Sequence, residues 1–205
     1  MEAFLREGIG GTYRIADFDS FEISNSNRML FGTTCVDQSK AELCAKRVKS
    51  VDPDIKVELY SEGLSKEKIS EFVQDCDLII EECDDFAIKV MVRQAAQKFG
   101  RPLLMATSQN GLIDVERYDI DNTTRPFHMD NDTMLEELNA PFLSAKEKNS
   151  IVSHIYDLKS VSPRFLVSGM ETGKAISSWP QLAEDVFPNA ATLTHAGRRI
   201  LLGDE

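Results

Sequence analysis

Asp77-Leu78-Ile79-Ile80-Glu81-Glu82-Cys83-Asp84-Asp85 sets three apolar residues between acids. A short apolar run that drops straight into carboxylates reads as a parallel strand covered on both faces. Downstream, Ala87 to Phe99 reads as an amphipathic helix stopped by Gly100, Pro102 to Thr107 as a second buried strand, and Leu112 to Tyr118 as a last, alternating strand. Upstream the same alternation holds. Lys66 to Gln74 reads as a helix and Ile55 to Tyr60 as a strand. Lys40 to Val51 reads as a helix stopped by Asp52-Pro53, and Thr12 to Asp17 as a short strand ending in acid. Residues 1–7 read as a helix closed by the Gly8-Ile9-Gly10-Gly11 turn. Strands alternating with helices define an α/β domain over residues 1–118, with a mostly parallel sheet and flanking helices.

Residues 119–205 differ and are expected to pack on the same domain. Asp119 to Asp132 is polar, contains Arg125-Pro126, and reads as a loop or partly ordered insertion. From Thr133 onward the pattern is helical. Ser144-Ala145-Lys146-Glu147 resembles a capping box before Ile151, Val152, Ile155 and Leu158. Ser162-Pro163 starts another segment and Trp179-Pro180 a third, the tryptophan read as a packing anchor. His195 with Arg198 and Arg199 reads as a helix end with cations near the last carbonyls.

Composition narrows the function classes. The chain has 205 residues, enough for one good-sized domain, with 42% hydrophobic and 28% charged residues. The net charge of −11 argues against nucleic acid as a partner. No apolar run approaches the roughly 18 residues that span a bilayer, so no membrane partner is expected. Cys35, Cys44, Cys76 and Cys83 include no Cys-x-x-Cys pair, which excludes zinc-ribbon and thioredoxin readings. Scattered cysteines without a signal peptide fit a reduced, cytoplasmic protein with all four buried as small apolar residues. His128, His154 and His195 lack metal-ligand spacing.

The chemistry-bearing residues lie after strands. Asp17 ends the first strand, where an acid can accept hydrogen bonds from ribose hydroxyls; its plainer role is a solvated turn acid or helix cap. Asn25 and Arg28 are three apart and could share a helical face over a phosphate, or simply open a solvated helix. Lys40 opens a helix, where a long cation reaches an anion or meets water. Glu81, Glu82, Asp84 and Asp85 put four carboxylates in five residues. Such a cluster faces water, caps the helix from Ala87, or supplies one carboxylate to Mg²⁺ held also by substrate phosphates.

Singly these signals are unspecific; their order is not. The series DFDxxExSNxxR, a lysine twelve residues on, DLIIExxDD, and a helix ending in Gly-x-Pro resembles the ThiF/MoeB/HesA family, related to the ubiquitin-activating enzymes. The resemblance covers residues 1–118, and resumes at Ser178–Leu182 and Ala196–Gly203. It implies a Rossmann-like fold and use of ATP and Mg²⁺ to adenylate the C-terminal carboxylate of a small ubiquitin-like or sulfur-carrier protein or peptide. By position it implies Asp17 as the ribose acid, Asn25, Arg28 and Lys40 around the phosphates, and Asp84 as the Mg²⁺ acid, with Arg28 and Asp84 serving catalysis. It also implies a homodimer or part of a larger polypeptide.

The departures shape the rival. The family's opening strand and GxGxxG turn would lie just before Met1; Gly8-x-Gly10 follows a helix instead of preceding one and is no phosphate loop. Their absence would leave a central parallel strand unpaired. Met29 stands where the family usually has Gln, and the zinc-binding cysteine pairs of many members are missing. No cysteine follows Cys83, so transfer to a downstream thiol has no nucleophile. The alternative is a non-catalytic, truncated or partner-completed domain of a larger protein. A nicotinamide oxidoreductase also places an acid after a strand, but hydride transfer needs neither the phosphate set nor Asp84.

Overall fold

The computed structural model describes residues 1–107, 111–129, 151–152, 155, 162–172, 174–176 and 181–204. In chain order these give α1 (Glu2–Arg6), β1 (Thr12–Ala16), α2 (Lys40–Val51), β2 (Lys56–Tyr60), α3 (Lys66–Gln74), β3 (Ile79–Ile80), α4 (Phe86–Phe99), β4 (Leu103–Ala106), β5 (Ile113–Glu116), α5 (Pro163–Glu171) and α6 (Ala183–Leu201). Short 3-10 turns occupy Ile23–Asn27, Thr33–Cys35 and Pro126–His128. Each element of the first 118 residues stands within one or two residues of its expected place.

Local chemistry sets the ends. The Ser39 hydroxyl accepts the Glu42 N–H at the start of α2, and Asp85 accepts the N–H groups of Ala87 and Ile88 at the start of α4. Gly100 ends α4 in the left-handed region, φ 60°, which glycine adopts without a Cβ penalty. Ser162 caps α5 through the Phe165 N–H, with Pro163 in its first turn.

The strands form two sheets. β1 and β2 pair in parallel from Thr12–Lys56 to Ala16–Tyr60. β3 pairs in parallel with β4, and β4 in antiparallel fashion with β5. Helices cover both faces. On one face, consecutive residues of α1 part company: Leu5 packs with Val48, Ile55, Tyr13 and Ile15, whereas Phe4 packs with Leu104, Leu193 and Leu78. On the other, Ile69 and Val73 of α3 pack with Ile79, Leu103 and α4, while Arg14 of β1 donates to the Phe72 carbonyl of α3. The two sheets thus lie side by side, bridged above and below.

One expectation is corrected: the cysteines are only partly buried. The polar stretch after Asp119 is a loop in its described part, and it docks, with Phe127 and Met129 buried against Val90 and Ile151 and the Phe127 N–H accepted by Glu116 at 2.7 Å. Of the two acids before α4, Asp85 is the one that caps it. The capping box at Ser144 and Trp179-Pro180 lie outside the described residues.

Candidate active site at the carboxyl edge of the sheets

α1 runs from Met1, beside Ile80 and Glu82 at the end of β3, back to the turn that opens β1. The carboxyl ends of β1 and β3 therefore share one edge, where ligands bind in open α/β sheets. The expected site residues gather there, with their own local partners. Asp17 Oδ1 accepts the Asp19 N–H at 2.9 Å, a turn role, and leaves its other oxygen open. Lys40 reaches back to Asp19 at 2.8 Å. Asp17, Lys40 and the Met1 ammonium all act electrostatically on Cys44.

Asn25 and Arg28 do not share a helical face. Asn25 lies inside the 3-10 turn, buried, its Oδ1 accepting the Glu22 N–H at 3.0 Å. Arg28 has already left the turn, with φ −143°, because the turn ends at Asn27. Its guanidinium donates to the Ser24 carbonyl and Asn27 Oδ1. Partial burial lowers the Arg28 pKa, and nearby Asp84 pulls it back up. Arg28 and Asp84, from loops after different strands, thus lie close enough to interact electrostatically.

The four clustered acids have four different surroundings, which limit their mutual repulsion without abolishing it. Glu81 is buried and ion-paired to Arg93 at 2.7 Å and Lys89 at 3.0 Å, and it accepts the Cys83 N–H at 2.7 Å. That bond fixes the turn carrying Asp84. Glu82 accepts the Ala106 N–H at 2.8 Å. It is open by surface area yet walled in by neighbouring atoms, and desolvation, reinforced by Glu81, pushes its carboxyl up to about 7. Asp85 is spent on the α4 cap. Asp84 is exposed and takes no hydrogen bond among the described residues.

Sequence reasoning missed the network beneath. Arg93 is fully buried and meets Glu81 at 2.7 Å, Glu116 at 2.7 Å and Asp114 at 3.4 Å, with the Phe127 ring 3.9 Å from its guanidinium carbon. Tyr118 and the Phe127 N–H donate to Glu116, and His128 pairs with Asp114 at 2.8 Å. An arginine at a core position of α4, with acids at Asp114 and Glu116 in the next strand, was the available signal.

The donor set fits a nucleotide with a divalent cation. Among the described residues no cluster of three or more His, Cys, Asp or Glu could hold a metal alone. One exposed carboxylate with no hydrogen bond among the described residues, Asp84, close enough to act electrostatically on Arg28, suits Mg²⁺ completed by phosphate oxygens and water. Burial and Glu81 push the Cys83 thiol far above its ordinary value, so it is a poor nucleophile.

Mostly parallel strands, covering helices and polar residues at their carboxyl ends define a doubly wound α/β class of protein. Residues 1–133 match the ThiF family model, and the chain belongs to the ThiF family. It is 43% identical over 97% of its length to the uncharacterized protein MT1398 of Mycobacterium tuberculosis, of which it spans 28%. It is 32% identical over 46% of its length to the sulfur carrier protein adenylyltransferase of Thermus thermophilus, covering 35% of that protein. The Escherichia coli tRNA N6-threonylcarbamoyladenosine dehydratase, in complex with AMP, superposes on 98% of the chain and 80% of its own, with TM-score 0.61 and 18% identity.

Proposed function

We propose that this chain binds ATP with Mg²⁺ and adenylates the C-terminal carboxylate of a small ubiquitin-like or sulfur-carrier protein or peptide. The observation that carries it is that Asp84, after β3, acts electrostatically on Arg28, in the loop after β1, while Asp17 and Lys40 both act on Cys44 near the carboxyl end of β1. Adenylating relatives such as the Thermus thermophilus enzyme support the reading. In the reaction a carboxylate oxygen attacks the α-phosphorus, the bond to the bridging oxygen breaks, and pyrophosphate leaves with that electron pair. The step brings anions together. Arg28 and Lys40 offset phosphate charge, Asp17 accepts from the ribose, and the Asn25 amide contributes its remaining N–H donors. Asp84 holds Mg²⁺, which when bound supplies charge neutralisation on the phosphates. Removing one such contact costs about 3 kcal/mol of transition-state stabilisation. The test is Mg²⁺-dependent exchange of pyrophosphate into ATP with a carrier protein present. Asp84→Ala and Arg28→Ala should each lower the exchange about a hundredfold; unchanged exchange in both would refute the assignment.

The sheet in two pieces favours a second reading. By it, the chain is a domain that a partner or a larger polypeptide completes, and it is non-catalytic alone. Homodimers and a cytoplasmic setting belong to the same family expectation.

A further inference from the structure

We infer that Arg93 is a positioning residue for Asp84: by clamping the Glu81 carboxylate from inside the core, it sets the turn that presents Asp84 at the carboxyl edge. Its consequence for metal binding rests on the reading of Asp84 as the Mg²⁺ acid, whereas the clamp itself rests on geometry.

Asp84 is held between two anchors. The Glu81 N–H donates to the Leu104 carbonyl, so the backbone there is still tied to β4. The Glu81 side chain is only 3% exposed, and its Oε1 accepts the Cys83 N–H at 2.7 Å. On the other side, Asp85 accepts the N–H groups of Ala87 and Ile88 at 2.7 and 3.0 Å. Glu82 is engaged by the Ala106 N–H. Of the four acids, Asp84 is thus the one left over for a ligand. Its direction is set by the Cys83 bond before it and the α4 cap after it.

The Cys83 bond needs the Glu81 carboxylate in one orientation. Lys89 Nζ lies 3.0 Å from Oε1 and 3.1 Å from Oε2, so it attracts the carboxylate without choosing between its oxygens. Arg93 Nη1 lies 2.7 Å from Oε2. It takes that oxygen and leaves Oε1 to the Cys83 N–H. A planar guanidinium, fixed on its other sides, also fixes the carboxylate plane, where an ammonium acts as a point charge.

Arg93 is fixed on its other sides. Its Nε pairs with Glu116 at 2.7 Å, its Nη2 meets Asp114 at 3.4 Å, and the Phe127 ring lies 3.9 Å from the guanidinium carbon. Phe127 and His128 both stand in the left-handed region, φ 56° and 54°, which is unfavourable for residues with a Cβ. The Phe127 N–H on Glu116, its ring on Arg93, and His128 on Asp114 hold them there. Strain of this kind persists where the surroundings over-determine it. The segment docked after β5 therefore braces the far side of the guanidinium. A buried ion network is often no more stabilising than apolar residues of the same volume. Its use here is geometric: it carries a fixed direction from Phe127 through Arg93 and Glu81 to Asp84.

The test compares three variants of the chain. Removing Arg93 alone would strand Glu116, so Glu116→Gln is the background, alone and combined with Arg93→Met or Arg93→Lys. Amide hydrogen exchange is read by NMR at Cys83, with the ladder amides of Ile79 and Glu81 as references. Arg93→Met should speed exchange at Cys83 about tenfold relative to the references. Arg93→Lys keeps a cation in the core and so preserves the fold even where the methionine variant fails; it should give a smaller acceleration, about threefold. Unchanged exchange at Cys83 in the variants that fold would overturn the inference. So would equal acceleration at Cys83, Ile79 and Glu81, the mark of general loosening. A second readout is calorimetric titration with ATP at graded Mg²⁺. Arg93→Met should raise the half-saturating Mg²⁺ about tenfold and leave ATP binding without Mg²⁺ unchanged. Faster Cys83 exchange with an unchanged Mg²⁺ requirement would uphold the clamp and refute Asp84 as the Mg²⁺ acid. A changed requirement with unchanged Cys83 exchange would overturn the clamp.

Discussion

Replacing Arg93 with Met keeps the side chain long and apolar and removes the one charge that three carboxylates share. Lys89 still serves Glu81, and His128 still serves Asp114. Among the described residues Glu116 loses its only ion-pair partner and keeps only the hydrogen bonds from Tyr118 and Phe127. A buried carboxylate without a cation protonates rather than stay charged. Burial already pushes Glu116 up to about 7 against the pull of Arg93, so at pH 7 and below the native fold carries most of the cost of neutralising it. Above pH 7 Arg93 lets it ionise, whereas the variant must keep it neutral at about 1.4 kcal/mol per pH unit, or roughly 2.7 kcal/mol more at pH 9 than at pH 7. The sign follows: with its folded pKa raised further, Glu116 in the variant makes the fold weaker as pH rises. Urea unfolding at pH 7 and pH 9 measures it, and Arg93→Met with Glu116→Gln should recover most of the extra loss at pH 9. An equal loss at both pH values would refute the reasoning.

Other outcomes follow from single contacts. A Cβ at Gly197 would lie 2.7 Å from Phe4 and 2.8 Å from Leu78, so Gly197→Ala should cost about 1–3 kcal/mol by scanning calorimetry. Asp114 raises the His128 pKa through their hydrogen bond. That stabilisation is full below the unfolded histidine value and fades as pH rises through the folded one. Thermal melts from pH 6 to pH 8 should show the decline, and His128→Asn should flatten it. Arg47, with Arg6, holds Glu2 down at about 2, so Arg47→Met should lower the melting temperature at neutral pH, the loss vanishing as pH falls from about 4.5 toward 2.

The alternating elements of residues 1–118 were legible because period and breakers agree. Asp52-Pro53 and Gly100 stop helices for reasons that hold in any context, and Leu78-Ile79-Ile80 can be little but a covered strand. That Asp17, Arg28, Lys40 and Asp84 lie after strands or at the opening of a helix was legible for the same reason. What each acid does was not. The burial of Glu81 depends on Arg93, twelve residues on, and on Glu116 from another strand, and no local pattern encodes that meeting. Asn25 was misjudged because its amide closes its own turn, a choice settled by backbone geometry. The docking of Phe127 escaped notice because polar neighbours hide a single aromatic whose pocket is built elsewhere.

The central claim is that this edge binds ATP through Mg²⁺. Calorimetric titration of the chain with ATP, with and without Mg²⁺, tests it most directly. The account predicts saturable binding that weakens without Mg²⁺ and in Asp84→Ala. No binding at millimolar ATP, with or without Mg²⁺, would contradict it.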